Sequence, residues 1–238
     1  MNLKNKIIVI TGGSTGLGNK LAELFVKSDS KVIICSRKKP KNLLPNQIWK
    51  QVDISKQDEI KKFTNWIKKE YGKIDILINN AGFVGKLKTL DKINDSELEE
   101  YVKINFIGTF LMTKYSLRLI DKYNESWIIN ISSQASKKPV PNLSIYSATK
   151  SAVTSMTQAL AKELEGTKLN CITICPAGIN TAMREKLFGK EDALKQQSTK
   201  SVADLIKQIV KSKITIQNGS VILIKRGKIE NIEISPNK

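Results

Sequence analysis

The run Ile7-Ile8-Val9-Ile10 leads directly into Thr11-Gly12-Gly13-Ser14-Thr15-Gly16-Leu17-Gly18, and this stretch decides the fold. Four consecutive apolar residues indicate a strand that is buried on both faces. The residues that follow carry apolar side chains at helical spacing, at Leu17, Leu21, Leu24 and Phe25. A glycine-rich turn between strand and helix suits a pyrophosphate, because the first NH groups of the helix and its dipole attract an anion.

The rest of the chain repeats this alternation of buried strands and amphipathic helices. Further strands are predicted near residues 32–35, 49–53, 74–78, 127–131, 169–175 and 221–224. Further helices are predicted over residues 55–71, 95–121, 146–164 and 202–210. This order predicts an α/β fold of the Rossmann type, a doubly wound parallel sheet of about seven strands with helices on both faces. No linker divides residues 1–238, so we expect a single domain.

Three segments depart from that simple alternation. The short polar segment between the second and third strands contains Pro40 and Pro45, which leaves no room for a full crossover helix. Residues 181–200 are polar with scattered apolar side chains, and we predict a mobile flap over a site. Residues 225–238 form a basic tail that either adds a small edge strand or hangs loose.

Composition excludes several classes of function. The chain has no histidine, which excludes Ser-His-Asp and Cys-His catalysis and histidine-ligated zinc or haem. Its three cysteines, Cys35, Cys171 and Cys175, lie in apolar surroundings, which favours reduced, buried thiols and no metal site. No apolar run is long enough to cross a membrane or to form a signal peptide, so we expect a cytoplasmic protein.

The formal net charge of +18 raises the question of a nucleic-acid partner. The 40 basic residues are spread along the whole chain, and only four of them are arginine. Because direct base reading depends on arginine, a lysine-rich solvated surface is favoured over nucleic-acid binding.

The sequence Tyr146-Ser147-Ala148-Thr149-Lys150 is a candidate for acid-base chemistry. Residues four apart share one face of a helix, so the Tyr146 phenol and the Lys150 ammonium would stand side by side. A cation beside a phenol favours the phenolate and lowers its pKa. Tyr146 could then exchange a proton near neutral pH, as a general acid-base catalyst must.

Four motifs taken together resemble the short-chain dehydrogenases/reductases. They are Thr11-Gly12-x-x-x-Gly16-x-Gly18, Asn79-Asn80-Ala81-Gly82, Ser133 and Tyr146-x-x-x-Lys150. They occur in the order and spacing of that family, and the resemblance extends from about Lys6 to Ile224. It departs from the family pattern at Ala177, where a glycine is usual.

The resemblance implies four catalytic residues. Tyr146 would protonate the carbonyl oxygen, and Ser133 would hydrogen-bond the same oxygen. Lys150 would lower the pKa of Tyr146 and bind the nicotinamide ribose. Asn105 would anchor a water molecule in the proton relay, which would explain an asparagine in a predicted helix.

The cofactor-binding residues follow from the glycine-rich turn and the resemblance together. They are Gly12, Ser14, Thr15, Gly16, Leu17, Gly18, Ser36, Arg37, Asp53, Ile54, Asn80, Ala81, Gly82, Tyr146, Lys150, Pro176, Ile179 and Thr181. No carboxylate follows the second strand to hold a free ribose hydroxyl, whereas Arg37 could grip a 2′-phosphate. NADP(H) is therefore favoured over NAD(H).

These observations predict an oxidoreductase that moves a hydride between NADP(H) and a carbonyl or alcohol. Two alternatives stay open, a 3-oxoacyl-[acyl-carrier-protein] reductase and a catalytically silent NADP-binding regulatory protein. The resemblance also implies a homo-oligomer, a tetramer or a dimer, formed through the helices around residues 95–121 and 146–164. The sequence does not identify the substrate, because loops determine specificity independently of the fold.

Overall fold

A computed structural model of the protein describes residues 1–234. Its strands form one sheet in the order β3-β2-β1-β4-β5-β6-β7-β8. Strands β1 to β7 are parallel, and β8 is antiparallel to β7. The strands are β1 (Ile7–Thr11), β2 (Lys31–Ser36), β3 (Gln47–Gln51), β4 (Ile76–Asn79), β5 (Ser126–Ile131), β6 (Leu169–Pro176), β7 (Val221–Lys225) and β8 (Lys228–Glu233). The predicted α/β fold is therefore confirmed, with one strand more than expected.

Helices connect the strands and cover the sheet. They are α1 (Gly16–Val26), α2 (Gln57–Tyr71), α3 (Asp95–Tyr101), α4 (Thr109–Ser116), α5 (Ser144–Glu163), α6 (Ala182–Phe188), α7 (Lys190–Leu194) and α8 (Thr199–Val210). Two short 3₁₀ turns lie at Leu90–Lys92 and Gln134–Ser136.

The core has two apolar layers, one on each face of the sheet. Alternate residues of each buried strand point to opposite faces. In β1, Ile8 and Ile10 join the layer beneath α1 and α8, whereas Ile7 and Val9 join the layer beneath α2 and α5. The sheet is thus packed against helices on both faces, and the loops at its carboxyl edge start from buried strands.

The connection from β2 to β3 contains no helix, as the two prolines predict. The region predicted as one helix over residues 95–121 is instead divided. A π-helical segment, Val102–Gly108, separates α3 from α4, and α4 ends at Ser116. The continuous helix was therefore wrong, and wide π turns of this kind occur often at functional sites.

The two segments near the end of the chain contain regular secondary structure. Residues 182–194 form α6 and α7, and the basic tail adds β8 beside β7. The edge-strand alternative for the tail is thus the correct one for its first part. Residues 235–238 of that tail lie outside the described part of the chain.

All three cysteines are buried free thiols, as predicted. Burial raises the pKa of Cys35 and of Cys171 to about 12, which keeps both in the inert thiol form. Within residues 1–234, no helix is both long and apolar enough to span a membrane.

Candidate active site

A cavity of about 1160 Å³ opens along the carboxyl ends of the parallel strands. Ligands of open α/β sheets bind at this edge, because the loops and helix starts converge there. Of the residues predicted for catalysis or cofactor binding, all except Gly18 and Asn105 line this cavity. The sheet therefore gathers residues that are up to about 170 positions apart in sequence into one site.

The glycine-rich turn brings the start of α1 to the cavity wall. Gly12 has a φ of +65°, which favours glycine, and a Cβ atom there would lie 2.9 Å from the Ala81 Cα. Gly18 lies behind the turn, where a Cβ would stand 2.4 Å from the Gly12 oxygen. The Thr15 side chain makes no hydrogen bond to the first turn of α1, so the NH groups of that turn remain available to an anion.

A set of hydrogen bonds fixes this turn to the end of β4. The Thr11 hydroxyl accepts hydrogen bonds from the backbone NH groups of Asn80 at 3.0 Å and Ala81 at 2.9 Å. The Asn80 amide donates in return to the Thr11 oxygen at 3.0 Å and the Gly12 oxygen at 3.2 Å. The motifs at residues 11–18 and 79–82 are thus joined to each other by hydrogen bonds.

Two adjacent serines follow β5, and they make different hydrogen bonds. The Ser132 hydroxyl donates to the Lys150 main-chain oxygen at 2.9 Å, which joins β5 to α5. The Ser133 hydroxyl accepts from the Ala135 NH at 3.2 Å and also hydrogen-bonds the Tyr146 phenol. This arrangement agrees with Ser133, and not Ser132, as the serine of the four-motif resemblance.

Tyr146 and Lys150 share one face of α5 as predicted, but the effect on the phenol is not the predicted one. The Lys150 ammonium lies 6.0 Å from the centre of the Tyr146 ring and donates to the Ile131 oxygen at 2.9 Å. Burial raises the pKa of Tyr146, and a hydrogen bond with Ser133 only partly offsets this. Burial also lowers the pKa of Lys150 to about 8.

The expected lowering of the Tyr146 pKa was therefore wrong for the ligand-free protein. Desolvation of the phenol outweighs a cation that is itself buried and turned toward a carbonyl oxygen. The phenol is consequently protonated at neutral pH, which is the form that can donate a proton.

Asn105 lies in the middle of the π-helical segment and is fully buried. Its side-chain oxygen accepts from the Phe83 NH at 2.7 Å, and its amide donates to the Phe83 oxygen at 2.9 Å. The amide also lies 3.2 Å from the Thr149 hydroxyl, on α5 next to Lys150. Asn105 thus holds the segment after Gly82 against the helix that carries Tyr146, and its role in a water relay stays a prediction.

The opposite end of the cavity is formed by the residues that follow β2 and β3. Arg37 is exposed on its wall, and no acidic residue within positions 1–234 forms an ion pair with it. The Ser36 hydroxyl is committed to the turn, since it donates to the Lys38 oxygen at 2.8 Å and accepts from Trp49 at 2.9 Å. Asp53 accepts from Ser55 through one carboxylate oxygen.

Sequence reasoning missed the residues that join the far end of the cavity together. The Gln197 amide donates to the Ala177 and Ile224 oxygens, both at 3.2 Å, and accepts from the Gly227 NH at 3.0 Å. Glu230 of β8 accepts from Gln134, the neighbour of Ser133, at 3.0 Å. No local pattern marks these residues, because their partners lie 20 to 96 positions away in sequence.

The family of short chain dehydrogenases matches residues 6–192 of this chain. The chain belongs to this family. Among curated relatives, the NAD-dependent glycerol dehydrogenase of Listeria innocua is 34% identical over 193 residues, which cover 79% of this chain and 76% of the relative. The 3-oxoacyl-[acyl-carrier-protein] reductase of Thermotoga maritima is 28% identical over 246 residues, with 96% of this chain and all of the relative covered.

Solved structures of the short-chain dehydrogenase family agree with this assignment. The 3-ketoacyl-(acyl-carrier-protein) reductase of Brucella melitensis, solved with NADH, superposes with a TM-score of 0.86 and 26% identity. The match covers 94% of this chain and 98% of that structure. As a short-chain dehydrogenase, the protein is an oxidoreductase with a nicotinamide dinucleotide cofactor, which confirms the resemblance inferred from the four motifs.

Proposed function

We propose that this short-chain dehydrogenase interconverts a carbonyl compound and an alcohol with NADP(H), and that residues 1–238 act as one catalytic domain. The observation that carries the proposal is the placement of Ser133, Tyr146 and Lys150 on one wall of the cavity that the glycine-rich turn also lines. The residues proposed for catalysis and those proposed for dinucleotide binding therefore line the same cavity.

The residues present fit a dinucleotide. The uncapped start of α1 would receive the pyrophosphate, and Asp53 with Ile54 would contact the adenine. Asn80, Ala81 and Gly82 would lie along the adjoining ribose, while Pro176, Ile179 and Thr181 would hold the nicotinamide side. When bound in its reduced form, the cofactor supplies the hydride for the substrate carbon.

The chain's own groups handle the proton. Tyr146, protonated at neutral pH, donates its proton to the substrate oxygen, and the Ser133 hydroxyl donates a hydrogen bond to the same oxygen. Lys150, with a pKa of about 8, is mostly cationic at neutral pH and stabilises the phenolate that the transfer leaves behind. In the reverse direction the phenolate accepts the proton of the alcohol.

Preference for NADP(H) rests on Arg37. Its guanidinium is exposed at the cavity end opposite Tyr146 and can hold a phosphate through two parallel charge-assisted hydrogen bonds. Lys38 adds a second positive charge on the same wall. The relative from Listeria innocua is named as NAD-dependent, so the preference must be measured on this protein.

The test is a panel of aldehydes and ketones with NADPH, followed by the cofactor's absorbance, on wild type and Tyr146→Phe. The variant should keep its fold and bind NADPH, but should lose about 10²- to 10⁴-fold in turnover, the usual contribution of a general acid. Tyr123→Phe is a matched control, because Tyr123 is 85% exposed and outside the cavity. Near-full turnover in Tyr146→Phe would assign the acid to another group.

A 3-oxoacyl-[acyl-carrier-protein] reductase is the second candidate, supported by the Thermotoga maritima relative and by a net charge of +18 that suits an acidic carrier protein. Adding 3-oxoacyl thioesters, free and carrier-bound, to the panel tests it. A catalytically silent NADP-binding regulator would bind NADPH without oxidising it in the presence of any carbonyl in the panel.

A further inference from the structure

The substrate end of the cavity has an unbalanced charge. Of the residues that line the whole cavity within positions 1–234, only Asp53 is acidic, and it follows β3. The opposite end is lined by Lys138, Lys195, Lys225 and Arg226. Strands β3 and β7 are six strand spacings apart in the sheet order, or about 29 Å at ~4.8 Å each. The acid is therefore too distant to neutralise these cations.

In the part of the chain that the structure describes, the acidic residues that form ion pairs or hydrogen bonds around this end leave two of its cations without an acidic partner. Glu230 of β8 binds Gln134 at 3.0 Å and Lys225 at 3.5 Å, and Glu233 pairs with Lys137 at 2.5 Å. Asp192 accepts hydrogen bonds from Arg184 through both carboxylate oxygens, and it also interacts electrostatically with Lys195. Within residues 1–234, Lys138 and Arg226 remain on the cavity wall without an acidic partner.

The backbone at Arg226 has an unfavourable conformation for its residue type. Arg226 and Gly227 form a two-residue turn between paired Lys225 and Lys228, with φ values of +50° and +71°. Two positive φ values are the pattern of a type I′ turn, which strongly favours Asn-Gly. An arginine there is strained, and such strain concentrates at ligand sites.

The turn is also fixed relative to the catalytic groups. The Gln197 side chain joins Gly227 to Ala177 and Ile224, and Ala177 donates its NH to the Ile224 oxygen at 2.8 Å. Strand β7 is two spacings, or about 10 Å, from β5, which ends two residues before Ser133. Arg226 lines the cavity, and the apolar residues Val140 and Met183 line it too.

We propose that the site takes carbonyl substrates that carry an oxyanion, a carboxylate or a phosphate monoester, held by Arg226 and Lys138 across a short apolar spacer. The proposal rests on the function proposed above and names its substrate class. Arginine suits this role, because its planar guanidinium binds a carboxylate or a phosphate through two parallel hydrogen bonds.

The test compares 5-oxohexanoate with its methyl ester, and adds 5-oxohexyl phosphate to distinguish the two oxyanions. Wild type should reduce at least one anion with a kcat/KM at least 10-fold above that of the ester. Arg226→Asn should remove about 10-fold of kcat/KM for the anion and leave the ester unchanged. Because Asn-Gly favours this turn, the variant should unfold at or above the wild-type temperature.

Lys138→Gln should lower kcat/KM for the anion in the same way. Lys62→Gln, which removes an exposed charge on α2, should leave it unchanged. Arg226→Lys should keep part of the preference for the anion that Arg226→Asn loses. Lysine keeps the positive charge but cannot form the two parallel hydrogen bonds of a guanidinium. An ester reduced as well as both anions, or an anion-to-ester ratio unchanged in Arg226→Asn, would overturn the proposal.

A failure of the proposed function is recognised separately. If no carbonyl is reduced, calorimetric binding of 5-oxohexanoate and 5-oxohexyl phosphate to the NADPH complex replaces the rate. If either anion binds wild type and binds Arg226→Asn about 10-fold more weakly, the oxyanion site is supported even without turnover. Wild type that binds neither overturns it.

Discussion

Replacement of Lys150 by methionine should make the stability of this protein less dependent on pH. The Lys150 side chain is buried, and burial lowers its pKa from the ordinary value of 10.5 to about 8. The folded protein therefore binds this proton less readily than the unfolded chain does. At one pKa unit per 1.36 kcal/mol, the folded state at pH 7 carries a penalty of about 3 kcal/mol.

The sign follows from the pKa being lowered on folding. Between pH 8 and 10.5 the unfolded chain binds more protons at this site than the folded protein, so the penalty disappears as the pH rises through that window. Lys150→Met removes the penalty but also the hydrogen bond to the Ile131 oxygen, which costs about 1–3 kcal/mol. At pH 7 the variant should thus be at least as stable as wild type.

The assay is urea unfolding of ligand-free wild type and Lys150→Met at pH 7 and pH 9.5. Wild type should gain about 2 kcal/mol in free energy of unfolding relative to the variant over that range. The exposed Lys62→Met, matched in chemistry, should follow wild type. A constant difference between wild type and Lys150→Met at both pH values would refute a lowered Lys150 pKa, whatever the variant's activity.

Three further predictions test the cofactor end, the glycine-rich turn and the assembly. Arg37→Ala should raise the KM for NADPH by roughly 10- to 150-fold and barely change that for NADH, in steady-state kinetics with both cofactors; equal losses would show that Arg37 does not bind the phosphate. Gly18→Ala should lower the thermal midpoint and abolish NADPH binding in calorimetry, although alanine favours helices, because its Cβ would stand 2.4 Å from the Gly12 oxygen. Light scattering at micromolar concentration should give a dimer or tetramer, as expected if α4 and α5 form the contact, and a monomer would contradict that expectation.

The parts of the structure that the sequence predicted are those encoded locally. Ile7 to Ile10 and the glycines after them specify a strand, a turn and a helix without distant partners, and Pro40 and Pro45 exclude a helix after β2. The spacing of Tyr146 and Lys150 likewise predicted that both lie on one helix face, and both line the cavity.

The parts that sequence reasoning missed depend on contacts between distant residues. The π-helical segment surrounds Asn105, whose amide binds Phe83, 22 positions earlier. The direction of the Tyr146 pKa shift depends on how far the fold removes the phenol from water, which spacing alone does not reveal. The sequence leaves the basic tail open between an edge strand and a loose end, because the pairing of β8 with β7 depends on a neighbouring strand.

Charged residues at the two edges of the sheet differ in how well the protein stabilises them. At the amino edge, before β4, Asp75 accepts from the Ile7 NH at 2.8 Å, from Lys6 at 3.0 Å and from Lys73 at 3.1 Å, so a buried acid is fully satisfied. At the carboxyl edge, Lys150 is buried at a cost and Arg226 holds a strained backbone. Groups that destabilise the free protein persist where a ligand can supply the missing partner. Binding of that ligand then restores the free energy of stabilisation that the free protein lacks. The Lys150→Met and Arg226→Asn variants should both be no less stable than wild type. Both should be worse enzymes, Lys150→Met for every substrate and Arg226→Asn for the anionic ones.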